Sequence, residues 1–119
     1  MTPLGHKLRQ MREERGVSLK DMAKALRVSS AYLSALEHGR RGKPTWMLLQ
    51  RIIAYFNVIW DEAEDLQRLA EMSDPKVSID TAGMAPEATE LANRLARDIG
   101  KLAPEDLSYL SAELTRRLR

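Results

Sequence analysis

Arginine, lysine and hydroxyl side chains gather between residues 18 and 43. Three cations, Arg40, Arg41 and Lys43, lie within the sequence GRRGK at residues 39–43, the basic loop, whose two glycines give the backbone freedom. Cations at this density can neutralise phosphates and sense the width of a DNA groove. Serine hydroxyls upstream can bond to base edges, and alanines can touch a thymine methyl group. These residues predict a nucleic-acid surface.

The same chain offers little for catalysis or metal binding. It has no cysteine, and its two histidines, His6 and His38, lie far apart in the sequence without carboxylates at ligand spacing. Neighbouring carboxylates such as Glu13 and Glu14 fall on predicted helix surfaces, where solvated charge is the simpler interpretation. The sequence GRRGKPT lacks the spacing of a phosphate-binding loop. We therefore expect no enzyme, no cofactor and no metal, and we place His38 near phosphate.

Two short helices must position the polar side chains of residues 17–39, VSLKDMAKALRVSSAYLSALEHG. Ser18 opens an S-x-x-D capping pattern, which predicts a helix over 19–26. Ser29 is a second N-cap, and the helix that follows it ends at Gly39. Two helices joined this tightly bury their apolar faces only by crossing steeply, which leaves the second helix facing outward.

This stretch resembles the helix-turn-helix of the lambda-repressor-like regulators, the XRE family. The resemblance rests on four small or apolar residues followed by Glu37-x-Gly39, namely Ala23, Val28, Leu33 and Leu36. It extends over roughly the first 70 residues. It implies an all-α fold with a five-helix lambda-repressor-like DNA-binding domain. The pattern of apolar residues and caps predicts the other three helices over 4–15, over 46–56 after the N-cap Thr45, and over about 61–72.

The resemblance also implies roles for single residues. In the docking mode of this family, Ser30, Ala31 and Ala35 reach base edges in the major groove, and their neighbours meet phosphate. Tyr32 either reaches the DNA or packs its ring over the preceding helix. The N-terminus of the preceding helix, with Lys20, also suits an anion. The expected DNA-binding residues are Ser18, Lys20, Ser29, Ser30, Ala31, Tyr32, Ser34, Ala35, His38, Arg40, Arg41 and Lys43.

Further expectations concern the packing of this domain. The resemblance implies a structural ion pair between Arg12 and Glu37. Arg27 stands where the family usually has glycine, and Leu19 where it usually has glutamine. A left-handed Arg27 would cost about 1–2 kcal/mol. We interpret Trp46 and Trp60, and likewise the six methionines, as core residues.

The remainder of the chain predicts a linker and a helical hairpin after the DNA-binding domain of residues 1–73. Residues 74–85 form the linker, with a short extended segment around Val77 and Ile79. In the hairpin of residues 86–119, each helix carries one apolar stripe, which must pack on a second chain or on its own domain. We favour a homodimer. The expected dimerisation residues are Leu91, Leu95, Ile99, Leu102, Leu107, Leu110, Leu114 and Leu118.

Charge separates the two parts of the chain. Residues 1–58 carry 11 Lys and Arg against 4 Asp and Glu, a balance of +7, whereas residues 59–119 carry 8 against 13, a balance of −5. The basic part suits double-stranded DNA, and the acidic part leaves a surface for a protein partner. No signal peptide or transmembrane stretch is evident, so we expect a cytoplasmic protein.

The sequence thus predicts a sequence-specific transcriptional regulator, a repressor acting as a homodimer on an inverted-repeat operator. Two alternatives remain open. One is an antitoxin-like protein-interaction module of the same fold, and the other is a helix-turn-helix coactivator or adaptor that barely binds DNA.

Overall fold

The computed structural model describes residues 1–119 as seven α-helices without strands, which confirms the all-α fold. The chain forms two compact units, Met1–Val77 and Ser78–Arg119. None of these helices combines the length and the apolar composition that a membrane span needs. The helices are α1 (Pro3–Glu14), α2 (Leu19–Leu26), α3 (Ser30–Glu37), α4 (Trp46–Phe56), α5 (Asp61–Glu71), α6 (Pro86–Asp98) and α7 (Pro104–Arg117).

Side-chain caps begin four of the five helices in the first unit. The side-chain oxygens of Thr2, Ser18, Ser29 and Thr45 each accept a hydrogen bond from the backbone amide three residues ahead, at 3.0–3.2 Å. These bonds satisfy amides that have no partner within the helix. Asn57 ends α4 with φ 54°, a left-handed conformation that asparagine tolerates.

One apolar cluster holds α1 to α5 together. Gly5 of α1 lies so close to α3 that a Cβ there would stand 2.4 Å from the carbonyl oxygen of Glu37. The two helices therefore meet backbone to backbone. The cluster consists of Leu4, Leu8, Met11, Met22, Ala23, Leu26, Leu33, Leu36, Leu48, Leu49, Ile52, Phe56, Val58, Leu66 and Ala70.

The expectation that both tryptophans anchor this core is wrong. Trp46 is 69% exposed because it occupies the first turn of α4, ahead of the buried stripe that begins at Leu48. Trp60 is 80% exposed, and its backbone adopts φ 54° and ψ −122° in the turn before α5. Of the methionines, Met11 and Met22 pack in the core, whereas the others are exposed at element ends and in the linker: Met1, Met47, Met72 and Met84.

The second unit, from Ser78 onward, contains two amphipathic helices. The extended segment expected around Val77 and Ile79 does not form a strand, and both side chains are exposed. The first helix of the predicted hairpin ends at Asp98, and a single 3-10 turn covers Ile99–Lys101. No residue of α6 or α7 is buried. Within the second unit, much of the apolar stripe on each helix is therefore exposed.

Candidate nucleic-acid interface

The turn between α2 and α3 sets the angle at which α3 is presented. Arg27 ends α2 with φ 61° and ψ 39°, so arginine occupies the left-handed position where glycine is usual in the family that the sequence resembles. The next amide, from Val28, donates to the carbonyl of Ala23 at 3.1 Å. Ala23 is only 2% exposed, and its small side chain lets the two helices approach. The turn thus fixes α3 against α2.

The outward surface of α3 carries short side chains. Ser30 and Ala31 are exposed at its N-terminus, whereas Leu33 and Leu36 are buried beneath it. Three further residues expected at the interface are half-buried: Tyr32, Ser34 and Ala35. Tyr32 also packs against the core cluster.

Two serines present hydroxyl donors beside this surface. The Oγ atoms of Ser18 and Ser29 accept the cap hydrogen bonds from Asp21 and Tyr32. Each hydroxyl keeps its own proton for donation, since a hydroxyl can accept and donate at once. Both serines are exposed at helix N-termini, where an anion is electrostatically favoured.

The cations near α3 have no carboxylate partner. Arg40, Arg41, Lys43 and Lys20 are exposed, and none lies within 4.0 Å of an acidic side chain. By contrast, the second unit pairs Arg97, Lys101, Arg116 and Arg117 with Asp98 or Glu113. Positive charge beside α3 is therefore left uncompensated by the protein.

The basic loop is attached to α3 at two points. The backbone amide of Arg40 donates to the carbonyl of Ala35 at 2.9 Å. The guanidinium of Arg41 lies over the Tyr32 ring, with 5.9 Å between its central carbon and the ring centroid, a cation–π distance. The spacing of Tyr32 and Arg41 in the sequence does not predict this contact.

His38 follows the last turn of α3 with an exposed imidazole. Its Nδ1 lies 2.8 Å from the carbonyl oxygen of Ser34, so Nδ1 carries the proton and donates it. In the neutral ring, Nε2 is then an acceptor, which a phosphate oxygen repels. A phosphate contact through Nε2 therefore requires the imidazolium form.

Arg12 and Glu37 hold α1 to the end of α3. The guanidinium donates from Nε to Glu37 Oε2 at 2.9 Å, from Nη2 to Oε1 at 3.2 Å, and from Nη1 to the carbonyl of Val17 at 3.1 Å. The Glu37 side chain is 2% exposed and that of Arg12 is 16% exposed. The hydrogen bond to Glu37 raises the pKa of Arg12, while burial opposes this shift. The pair orients α3.

Two other anchors were missed from the sequence. The guanidinium of Arg15 lies 5.4 Å from the Phe56 ring centroid and donates to the Phe56 carbonyl at the end of α4. The hydroxyl of buried Ser73 accepts from the Leu4 amide at 2.9 Å and donates to the carbonyl of Leu69. The bond from Arg15 to Phe56 spans 41 positions and that from Leu4 to Ser73 spans 69, so no local sequence pattern predicts either one.

The capped α2–turn–α3 element, with its exposed α3 N-terminus and free cations, defines a helix-turn-helix protein. A family model described as a helix-turn-helix domain matches residues 3–66. The chain belongs to this helix-turn-helix family, and the XRE-like resemblance is confirmed.

Its relatives carry regulator names. The chain is 42% identical over 55 residues to the HTH-type transcriptional regulator DdrOP3 of Deinococcus deserti, covering 46% of this chain and 42% of that protein. It is 31% identical over 55 residues to the HTH-type transcriptional regulator SinR of Bacillus subtilis, covering 46% of this chain and 50% of SinR. The aligned region thus spans about half the length of these curated relatives.

One solved structure also aligns with this chain. A chain from a SinR–SinI protein complex matches 98% of this chain, and the match covers 99% of the solved chain. The sequence identity is 22% and the TM-score is 0.46.

Proposed function

We propose that this protein is a sequence-specific DNA-binding transcriptional regulator that represses as a homodimer on an inverted-repeat operator. The observation that carries the proposal is the uncompensated positive charge beside the exposed N-terminus of α3. Cations that pair with carboxylates inside the protein are less free to replace counterions on DNA, whereas Lys20, Arg40, Arg41 and Lys43 are free to do so.

In the proposed complex, α3 enters the major groove with its N-terminal end foremost. Ser30 and Ala31 then meet base edges, with Ala35 further along the helix. Ser18, Ser29, Ser34 and Lys20 face the phosphates on either side. Because short side chains discriminate weakly among bases, the phosphate contacts supply most of the affinity. Bound dimers would repress by blocking access of polymerase to a promoter, with no catalytic step.

The dimer is proposed to form through α6 and α7. Leu91, Leu107, Leu110 and Leu114 are 37–61% exposed, although they lie at helical spacing on apolar stripes. Stripes of this kind stabilise a helix pair only when a further surface covers them. A second copy of the unit would give a four-helix arrangement, and two-fold symmetry of the protein would match a palindromic operator.

The first experiment selects DNA with the full chain from a genomic fragment pool and sequences what is retained. We expect enrichment of an inverted repeat whose half-sites lie about 34 Å apart or a multiple of that distance. Ser30→Glu should abolish binding, because it places a carboxylate against the duplex, whereas Ser108→Glu on exposed α7 should not. Enrichment of no sequence, or equal binding by both variants, would overturn the DNA-binding proposal.

The second experiment measures mass by sedimentation of the full chain at micromolar concentration. We expect a dimer that Leu114→Glu converts to monomer, while Ser108→Glu, also on α7 but away from its stripe, leaves it intact. A monomeric parent chain would refute the homodimer.

A monomeric parent chain would favour the protein-interaction alternative. The exposed stripes and the −5 balance of residues 59–119 are then available for a separate partner, as in the antitoxin-like hypothesis.

A further inference from the structure

The three cations of the basic loop differ in how firmly they are held. Arg41 lies over the Tyr32 ring at 5.9 Å, whereas Arg40 and Lys43 have no aromatic partner. Tyr32 is itself fixed, since its ring packs on the core cluster and its amide donates to Ser29 at 3.0 Å. The guanidinium of Arg41 therefore rests on a rigid platform at the flank of α3.

A guanidinium stacked on a ring keeps its N–H donors available. The ring attracts the cation through its face, while the five N–H groups lie in the guanidinium plane and stay free for a base edge or a groove wall. An arginine already held in place also loses less rotamer freedom on binding, a gain of about two- to tenfold in affinity for one long side chain. Tyr32 thus preorganises Arg41.

The exposed surface of α3 lacks a side chain that discriminates strongly among bases. Its exposed N-terminus offers only Ser30 and Ala31, which bond to several bases or merely touch a methyl group. We infer that Tyr32 is a positioning residue that holds Arg41 beside α3, and that Arg41 is the loop residue that discriminates DNA sequence, while Arg40 and Lys43 contact phosphate without sequence preference. This inference rests on the proposed DNA-binding function.

The test compares two duplexes: one recovered by selection with the full chain from a random pool, and one with the same bases scrambled. The quantity measured is the ratio of the two dissociation constants. Arg40→Ala should weaken both duplexes alike and leave the ratio unchanged. Arg41→Ala removes the same charge one residue away and should lower the ratio by about 5- to 150-fold. Arg41→Lys should lower the ratio similarly while nearly keeping affinity for the scrambled duplex.

Tyr32 variants separate positioning from direct contact. Tyr32→Phe keeps the ring and should keep the ratio, whereas Tyr32→Leu keeps apolar bulk for packing, loses the platform and should lower the ratio by about two- to tenfold. Combining Tyr32→Leu with Arg41→Ala should lower the ratio no further than Arg41→Ala alone. Thermal unfolding identifies any variant whose fold is damaged. If the Tyr32 variants fail to fold, the comparison of Arg40→Ala with Arg41→Ala still tests the role of Arg41.

Three results would overturn the inference. The first is an equal change of the ratio in Arg40→Ala and Arg41→Ala, and the second is an unchanged ratio in Arg41→Lys. The third is a ratio that falls as far in Tyr32→Phe as in Tyr32→Leu, which would assign the effect to the Tyr32 hydroxyl. A chain that enriches no sequence in the selection would instead overturn the proposed function itself.

Discussion

The ion pair between Arg12 and Glu37 gives a quantitative test of how α3 is held. Replacing Arg12 by methionine leaves the Glu37 carboxylate, only 2% exposed, without both of its charge-assisted hydrogen bonds. It also removes the donor to the carbonyl of Val17. Breaking a buried pair by removing one partner costs about 3–5 kcal/mol. Because 16% of the Arg12 side chain is exposed, water can enter, and we expect about 3 kcal/mol.

The reverse change and the double change complete the cycle. Glu37→Met leaves Arg12 partly solvated and still bonded to Val17, so we expect a smaller loss of about 2 kcal/mol. The double variant removes both charges and should cost about 2 kcal/mol less than the sum of the single losses. Such losses are large against a total stability of about 5–15 kcal/mol.

Urea unfolding of the full chain, followed by circular dichroism, measures these free energies. The exposed pair of Arg9 and Glu13 on the same helix is the matched control, with side chains 46% and 59% exposed, and its removal should cost below about 0.5 kcal/mol. Additive single losses, or losses no larger than those of the control pair, would refute the assigned role.

Three further predictions concern backbone and charge. Gly5→Ala should cost about 1–3 kcal/mol in urea unfolding, because its Cβ would meet the Glu37 carbonyl, whereas Gly42→Ala, with only ordinary contacts, should be nearly neutral; equal effects would contradict this packing. Arg27→Gly should raise stability by up to about 1 kcal/mol, since glycine adopts φ 61° without strain; a loss would show that the arginine side chain matters more. Hydrogen bonds from Arg116 and Arg117 lower the pKa of the Glu113 carboxyl, so its ionised form stabilises the fold above the pKa of the unfolded chain, and this contribution disappears as the pH falls through the lower folded value. Carboxyl NMR should give a lower titration midpoint for Glu113 than for a glutamate without a cationic partner, and a midpoint that is no lower would exclude these bonds.

Local sequence signals predicted the helix-turn-helix closely. The N-caps Ser18 and Ser29 place the first residues of α2 and α3, because a serine hydroxyl that accepts an amide three residues ahead is a local device. Asn57 ends α4 through another local property, since asparagine tolerates the left-handed conformation. The pair of Arg12 and Glu37, implied by family resemblance, is present in the structure.

The features that were missed depend on tertiary contact. Large aromatic side chains are expected in a core, yet Trp46 at the start of α4 and Trp60 in the turn before α5 are exposed. The close approach of Gly5 to α3 and the stacking of Arg41 on Tyr32 join segments that are separated in sequence. Hydrophobic periodicity predicts which face of a helix is apolar, but it does not predict which residues of other segments that helix contacts.

The salt dependence of DNA binding tests whether the basic loop contacts DNA phosphates. The measurement is the slope of log K against log salt concentration for the full chain on its selected duplex. With alanine at all three cations of the basic loop, the slope should become shallower by about 0.9 for each lost phosphate contact. Alanine at Arg97, Lys101 and Arg117 removes the same charge from residues already paired with carboxylates, and should leave the slope unchanged. A folded loop variant that kept both the affinity and the slope of the parent chain would show that the basic loop does not contact DNA phosphates.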